Sequence, residues 1–167
     1  MKNIILVGMM SSGKTTLGKK LARALNYRFV DLDKLIESDQ GKPISQIFSE
    51  NGEAYFREVE SRLLKEVTAQ RDIVLASGGG TPCFFDNMSV INAMGVSIYL
   101  DVPAAELAKR IENHGKDDRP ILSGAASLKD TLEAKIAERT PFYSQAHFTL
   151  QGDIGLHHLL ETIQPLL

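Results

Sequence analysis

Two hydrophobic rhythms alternate along this chain. Short, largely apolar blocks occur at Ile4–Val7, within Tyr27–Asp31, at Asp72–Ser77, at Val96–Leu100 and at Ala146–Leu150. Such blocks predict strands, and the continuous ones predict strands buried on both faces. Between them apolar residues recur every three or four positions, as in Leu17, Leu21 and Leu25, or Phe56, Val59, Leu63 and Val67, or Leu128, Leu132 and Ile136. That spacing puts one apolar stripe on a helix. It predicts helices over Thr15–Leu25, Ile44–Ser49, Glu53–Ala69, Phe85–Met94, Ala104–Glu112, Leu128–Arg139 and Gly155–Leu167, with another opening at Lys34. Ser38–Pro43 and Asn51-Gly52 read as breaks between them. The alternation predicts one three-layer α/β domain over residues 1–167, with a mostly parallel sheet of about five strands.

The junction of the first strand and first helix carries chemistry. Its residues run Gly8-x-x-x-x-Gly13-Lys14-Thr15. In that context of strand, loop and helix the spacing is that of a phosphate-binding P-loop. The loop amides form an anion nest, to which the helix adds its positive dipole end. The nucleotide-binding residues are therefore Ser11, Ser12, Gly13, Lys14, Thr15 and Thr16. Lys14 reaches the β- and γ-phosphates of a nucleoside triphosphate, and the Thr15 hydroxyl ligates Mg²⁺.

Composition narrows the rest. Charged residues make up 24% and hydrophobic residues 43%, as in ordinary globular proteins. A formal net charge of -2 gives no support for a nucleic-acid or anionic-membrane partner. Cys83 is the single cysteine, so no intramolecular disulfide forms. One cysteine and four scattered histidines do not make a structural zinc site. The apolar N-terminus runs straight into the P-loop rather than into a cleavage site. No apolar run approaches the roughly 20 residues that span a bilayer. Cytoplasmic residence is the expectation.

Further candidates cluster at predicted strand ends. Asp31 and Asp33 follow the second strand, at the edge where open α/β sheets bind ligands. If extended, both face one side, one to hold Mg²⁺ and the other to orient or deprotonate a hydroxyl. The alternative is that one of them caps the next helix. Gly78-Gly79-Gly80 follows the third strand and brings backbone close to a ligand, or simply turns sharply. Arg57 reads by itself as a surface arginine paired with a nearby glutamate. Asn113–Ala126 is polar and charged, with Arg119-Pro120 at its middle, and reads as a lid or as an ordinary surface loop.

Taken together, these segments resemble shikimate kinase over nearly the whole chain. The resemblance is carried by Gly8–Thr15, Phe29-x-Asp31-x-Asp33, Phe56-Arg57-x-x-Glu60, Gly78-Gly79-Gly80, Arg119-Pro120 and Arg139-x-Pro141-x-Tyr143. It implies MgATP-dependent phosphorylation of the shikimate 3-hydroxyl by a monomer with sheet order 2-3-1-4-5 and a lid. On it, Lys14, Asp33 and Arg119 are catalytic, Asp33 doubling as the residue that binds the substrate hydroxyls. Arg57 and Arg139 clamp the substrate carboxylate, and Gly78, Gly79 and Gly80 contact the substrate through backbone. Asp31 joins Thr15 near Mg²⁺. Arg110 stacks on adenine, with Asp153 in the adjoining turn. Ser11 and Pro82 depart from the family pattern, standing where a glycine and an aliphatic residue are expected.

The nearest competing reading is a kinase of another hydroxylated metabolite, such as gluconate, on the same fold. A GTP-binding switch needs Asn-Lys-x-Asp and Asp-x-x-Gly, and neither string occurs. A helicase or repair protein lacks its basic surface here.

Overall fold

The computed structural model describes residues 2–113 and 127–167. Its strands are β1 Asn3–Val7, β2 Arg28–Asp31, β3 Ile73–Ala76, β4 Gly95–Leu100 and β5 Phe148–Leu150. All pair in parallel in the order β2-β3-β1-β4-β5. This is the predicted architecture and order.

Side-chain alternation along β1 makes the two cores. Ile4 and Leu6 pack on one face with Leu17, Leu21 and Ala22 of α1 (Lys14–Leu25) and Leu159 and Ile163 of α7 (Leu156–Ile163). Ile5 and Val7 point the other way. They join the larger core formed by α2 (Leu32–Gln40), α3 (Ile44–Thr68), α4 (Asn87–Met94), α5 (Ala104–Asn113) and α6 (Leu128–Tyr143). Burial on both sides explains why Ile4–Val7 of β1 and the whole of β3 are continuously apolar.

Local signals set several boundaries. Asn26 ends α1 in the left-handed conformation, and its N–H bonds the carbonyls of Ala22 and Arg23. Gly52, at φ +83°, kinks α3 where Asn51-Gly52 predicts a break. Two predictions need correction. Helix α2 starts at Leu32 rather than Lys34, and it runs through Ser38–Gln40, ending at Gly41. Asp31 and Asp33 therefore do not lie on one extended segment, and strand alternation does not orient them. Helix α6 continues beyond Arg139 to Tyr143 with Pro141 inside it. Proline this near a C-terminus sacrifices little of the backbone ladder, and the extra turn carries Tyr143 into the core.

Register then aligns the strand ends. Asp31 sits beside Ala76, Leu6 beside Ala76, and Val7 beside Tyr99. The P-loop, Asp31 and the glycine run thus emerge along one carboxyl edge, next to the strand at which the sheet order reverses.

Candidate active site

At that edge lies a cleft of about 540 Å³ lined by Ser11–Thr16, Asp33, Ser77, Gly78, Gly79, Arg110 and Ile154. The P-loop turns on Gly8 at φ +147° and Gly13 at φ +103°. A β-carbon on Gly8 would lie 2.9 Å from the Leu100 carbonyl oxygen, so both space and conformation require glycine there. Ser11 adopts φ +63°, which accounts for the glycine expected at that position and marks local strain in the loop.

Lys14 is 9% exposed, and its Nζ donates to the carbonyls of Gly8 at 2.6 Å and Met9 at 2.7 Å. Burial lowers its pKa to about 8, with Asp33 and Asp31 pulling upward and Arg139 pushing further down. The ammonium thus gains from an incoming anion, which would raise that pKa again and hold the charge at higher pH.

Asp31 does two things at once. Its Oδ1 accepts from the Lys34 amide at 3.2 Å as the cap of α2, and the Thr15 hydroxyl donates to its Oδ2 at 3.3 Å. The capping and functional readings are therefore compatible. Neighbouring oxygen ligands of octahedral Mg²⁺ stand about 3 Å apart, so the Thr15–Asp31 pair fits two such positions. Phosphate oxygens and water complete a site of this kind, which uses few protein ligands. Among the described residues no cluster of three or more His, Cys, Asp or Glu is placed to hold a metal.

Asp33, in the first turn of α2, faces the cleft. Burial and the nearby Asp31 and Glu60 carboxylates raise its pKa to about 6, against the pull of Lys14. It remains largely ionised at neutral pH, with proton affinity well above that of an ordinary carboxylate.

The glycine run seats the arginines. A β-carbon on Gly79 would stand 2.8 Å from Arg139 Nη1, and one on Gly80 would stand 2.8 Å from Arg57 Nη2. Gly78 faces Asp33 Oδ1 and Thr81 Oγ1 in the same way, each at 2.9 Å. The backbone here makes room for the protein's own functional side chains. The sharp turn is also present, as a short 3₁₀ segment over Thr81–Cys83.

Arg57 is not a solvated surface residue. Its side chain is 14% exposed, and Nη1 donates to Glu60 Oε1 at 3.0 Å. The glutamate pairing is real but buried, so Arg57 does not depend on a shared anion for its counter-charge. Glu60, 1% exposed, also accepts from the Thr81 hydroxyl at 2.8 Å. Burial pushes its pKa upward, while Arg57 and Thr81 hold it down. Arg139 Nη1 contacts Met9 Sδ at 3.6 Å, and one turn further on Tyr143 donates its hydroxyl to the Gly79 carbonyl.

On the nucleotide side, Arg110 Nη1 donates to the Ser11 carbonyl at 3.0 Å, placing its guanidinium at the P-loop. Ile154 lines the cleft, whereas Asp153 is exposed beyond the lining residues. Arg119 and nearly all of the predicted lid lie outside the described residues.

Site reasoning from sequence gave no role in the site to Thr81 or Phe84, and named Glu60 and Tyr143 only as motif positions. Glu60 had a local signal, three residues after Arg57 on one helix. Tyr143 likewise follows Arg139 by four. Thr81 and Phe84 meet their partners only through tertiary contact.

A family model described as shikimate kinase matches residues 10–160. A shikimate kinase of Parabacteroides distasonis is 47% identical over 155 residues, covering 92% of this chain and 89% of the relative. The crystal structure of a shikimate kinase from Bacteroides thetaiotaomicron superimposes with a TM-score of 0.86 at 39% identity, over 99% of this chain and 97% of that one. The shikimate kinase of Acinetobacter baumannii, solved in complex with shikimate, also gives 0.86, at 35% identity over 99% and 92%. A gluconokinase of Sinorhizobium meliloti, at 15% identity and a TM-score of 0.57 over 96% and 87%, shares the fold alone.

Proposed function

The chain belongs to the shikimate kinase family, and from that premise we propose that its cleft transfers the γ-phosphoryl group of ATP to the 3-hydroxyl of shikimate, giving shikimate 3-phosphate and ADP. The reaction serves aromatic amino-acid biosynthesis. One observation carries the reading beyond the fold: the P-loop, the Asp33 carboxylate and two arginines seated on consecutive glycines converge at one sheet edge.

Each group has a physical task. The P-loop amides and Lys14 bind the triphosphate and neutralise charge on the transferring group. Arg57 and Arg139 hold the carboxylate of shikimate, since planar guanidinium groups match carboxylates in a way lysine does not. Gly78, Gly79 and Gly80 offer backbone to its ring. Asp33 accepts a hydrogen bond from the attacking hydroxyl and can take its proton, with its pKa near 6. A loose transition state needs orientation more than a strong base. Thr15 and Asp31 are the residues that would hold Mg²⁺. There the ion would supply positive charge to offset the negative charge of the phosphate oxygens. Arg110 and the turn containing Asp153 flank adenine, and Arg119 reaches the transferred phosphate.

The protein is read as a cytoplasmic monomer. Among the described residues no helix is long and apolar enough to cross a membrane. The test is ADP release with MgATP and each of shikimate, gluconate and the nucleoside monophosphates. Shikimate alone should stimulate it. A rate with shikimate no higher than basal ATP hydrolysis would sink the assignment, and stimulation by gluconate instead would select the competing kinase.

A further inference from the structure

We infer that Phe84 is a positioning residue for the acceptor carboxylate, acting through Arg57. This rests on the shikimate kinase reading above and adds to it a residue outside the binding constellation.

The argument starts from how Arg57 is held. Its Cζ lies 4.0 Å from the centroid of the Phe84 ring and 5.1 Å from that of Phe56. Both lie within cation–π range, with Phe84 the closer. Glu60 takes Nη1, and Gly80 lies against Nη2. Nε is buried without a hydrogen-bond partner, with a Glu53 oxygen 3.8 Å away. Ion pairs alone leave a guanidinium free to tilt about its long stem. An aromatic contact fixes the attitude of its plane, and that plane decides whether two N–H groups meet a carboxylate together.

The turn that bears Phe84 is anchored accordingly. The Thr81 hydroxyl donates to Glu60, Asn87 Nδ2 donates to the Thr81 carbonyl, and the Ser61 hydroxyl donates to Asn87 Oδ1, each at 2.8 Å. Asn87 is fully buried. These bonds tie the turn to α3, the helix that carries Arg57. A second, independent sign is Phe85, which is 67% exposed and sits at φ +50°. A bulky residue in the left-handed region is strained, and such strain persists where the surroundings over-determine the backbone. Here the chain turns outward immediately after placing Phe84 on Arg57.

The experiment compares Phe84→Leu, Phe84→Tyr and the protein carrying 3,4,5-trifluorophenylalanine at position 84, which keeps the ring's shape while weakening its negative face. Phe85→Leu is the control. Initial rates give KM for shikimate, KM for ATP and kcat, alongside the preference for shikimate over its methyl ester. Phe84→Leu and the fluorinated protein should raise KM for shikimate about three- to thirty-fold. Their kcat and KM for ATP should stay unchanged, and their preference for the free acid should shrink. Phe84→Tyr and Phe85→Leu should behave as wild type. An unchanged shikimate KM in the fluorinated protein overturns the inference even if Phe84→Leu fails to fold. So does an equal loss with acid and ester. Absence of shikimate-dependent turnover in the wild type would instead overturn the functional reading.

Discussion

Arg139 Nη1 lies 2.8 Å from where a β-carbon on Gly79 would stand. Arg57 stands in the same relation to Gly80. Gly80 has φ -93°, so backbone conformation does not demand glycine there; the neighbouring guanidinium does. Because that neighbour is the far end of a flexible side chain, alanine will displace the arginine rather than unfold the protein. Gly80→Ala should raise KM for shikimate about tenfold or more, the scale of a lost charge-assisted hydrogen bond. Its Tm should fall by less than that of Arg57→Ala, because the displaced guanidinium stays within reach of Glu60. Thermal melts and initial rates on one preparation decide this, and a large Tm drop with normal KM would refute it.

Gly18→Ala is the contrasting case. There a β-carbon would stand 2.6 Å from Phe29 Cε1, inside the sheet–helix core. Overpacking should cost about 1–3 kcal/mol in denaturant unfolding. Both KM values should remain near wild type in the folded fraction.

Arg57→Ala should do two separable things. It removes a carboxylate ligand, so KM for shikimate rises while ATP binding stays intact. It also strands the buried Glu60 carboxylate, so Tm falls. Adding Glu60→Gln should recover much of the Tm and none of the KM. Recovery of both by the double variant would show that Arg57 acts through Glu60 alone.

Asp33 sets an acid limb. Its raised pKa means that it protonates as pH falls through about 6, so kcat/KM should drop below that pH. Stability moves the other way. The folded protein binds this proton more tightly than the unfolded chain, so ionised Asp33 destabilises the fold above about pH 6, and that penalty fades on acidification. Asp33→Asn should therefore raise Tm by a few degrees at pH 8, with the gain shrinking at pH 5, while nearly abolishing transfer. A Tm gain independent of pH would contradict this.

Lys14 sets the alkaline side. Its pKa near 8 in the free protein means that deprotonation competes with nucleotide binding above that pH. The dissociation constant for ATP should weaken progressively from pH 8 to pH 10. In Lys14→Met it should be weak and flat across that range, with kcat down at least a hundredfold. Calorimetric titration at several pH values checks both.

Much of this was legible in the chain because it is local. Strand, glycine turn and helix are contiguous in Asn3–Leu17, and phosphate binding needs little beyond that order. Parallel pairing follows from alternating elements, and the αL cap at Asn26 and the kink at Gly52 follow from residue type. Extended geometry for Asp31–Asp33 was the wrong inference, because Asp31 caps α2 and starts the helix one residue later. The end of α6 was misplaced because Pro141 reads as a stop, yet burial of Tyr143 outweighs one missing backbone bond.

What the sequence determined by itself is the fold class, the phosphate-binding loop and the residue types of the acceptor site. Hydrophobic period and backbone freedom are properties of neighbouring residues, so they are set before the chain folds. Only the tertiary structure decided that Arg57 is buried against Glu60 and Phe84, that Gly79 and Gly80 make room for arginines, and that Thr81 and Asn87 anchor the turn between them. Those relations join residues from α3, the 3₁₀ turn, the start of α4 and α6. Their burial, and hence the strength of each charge, exists only once the sheet edge brings those elements together.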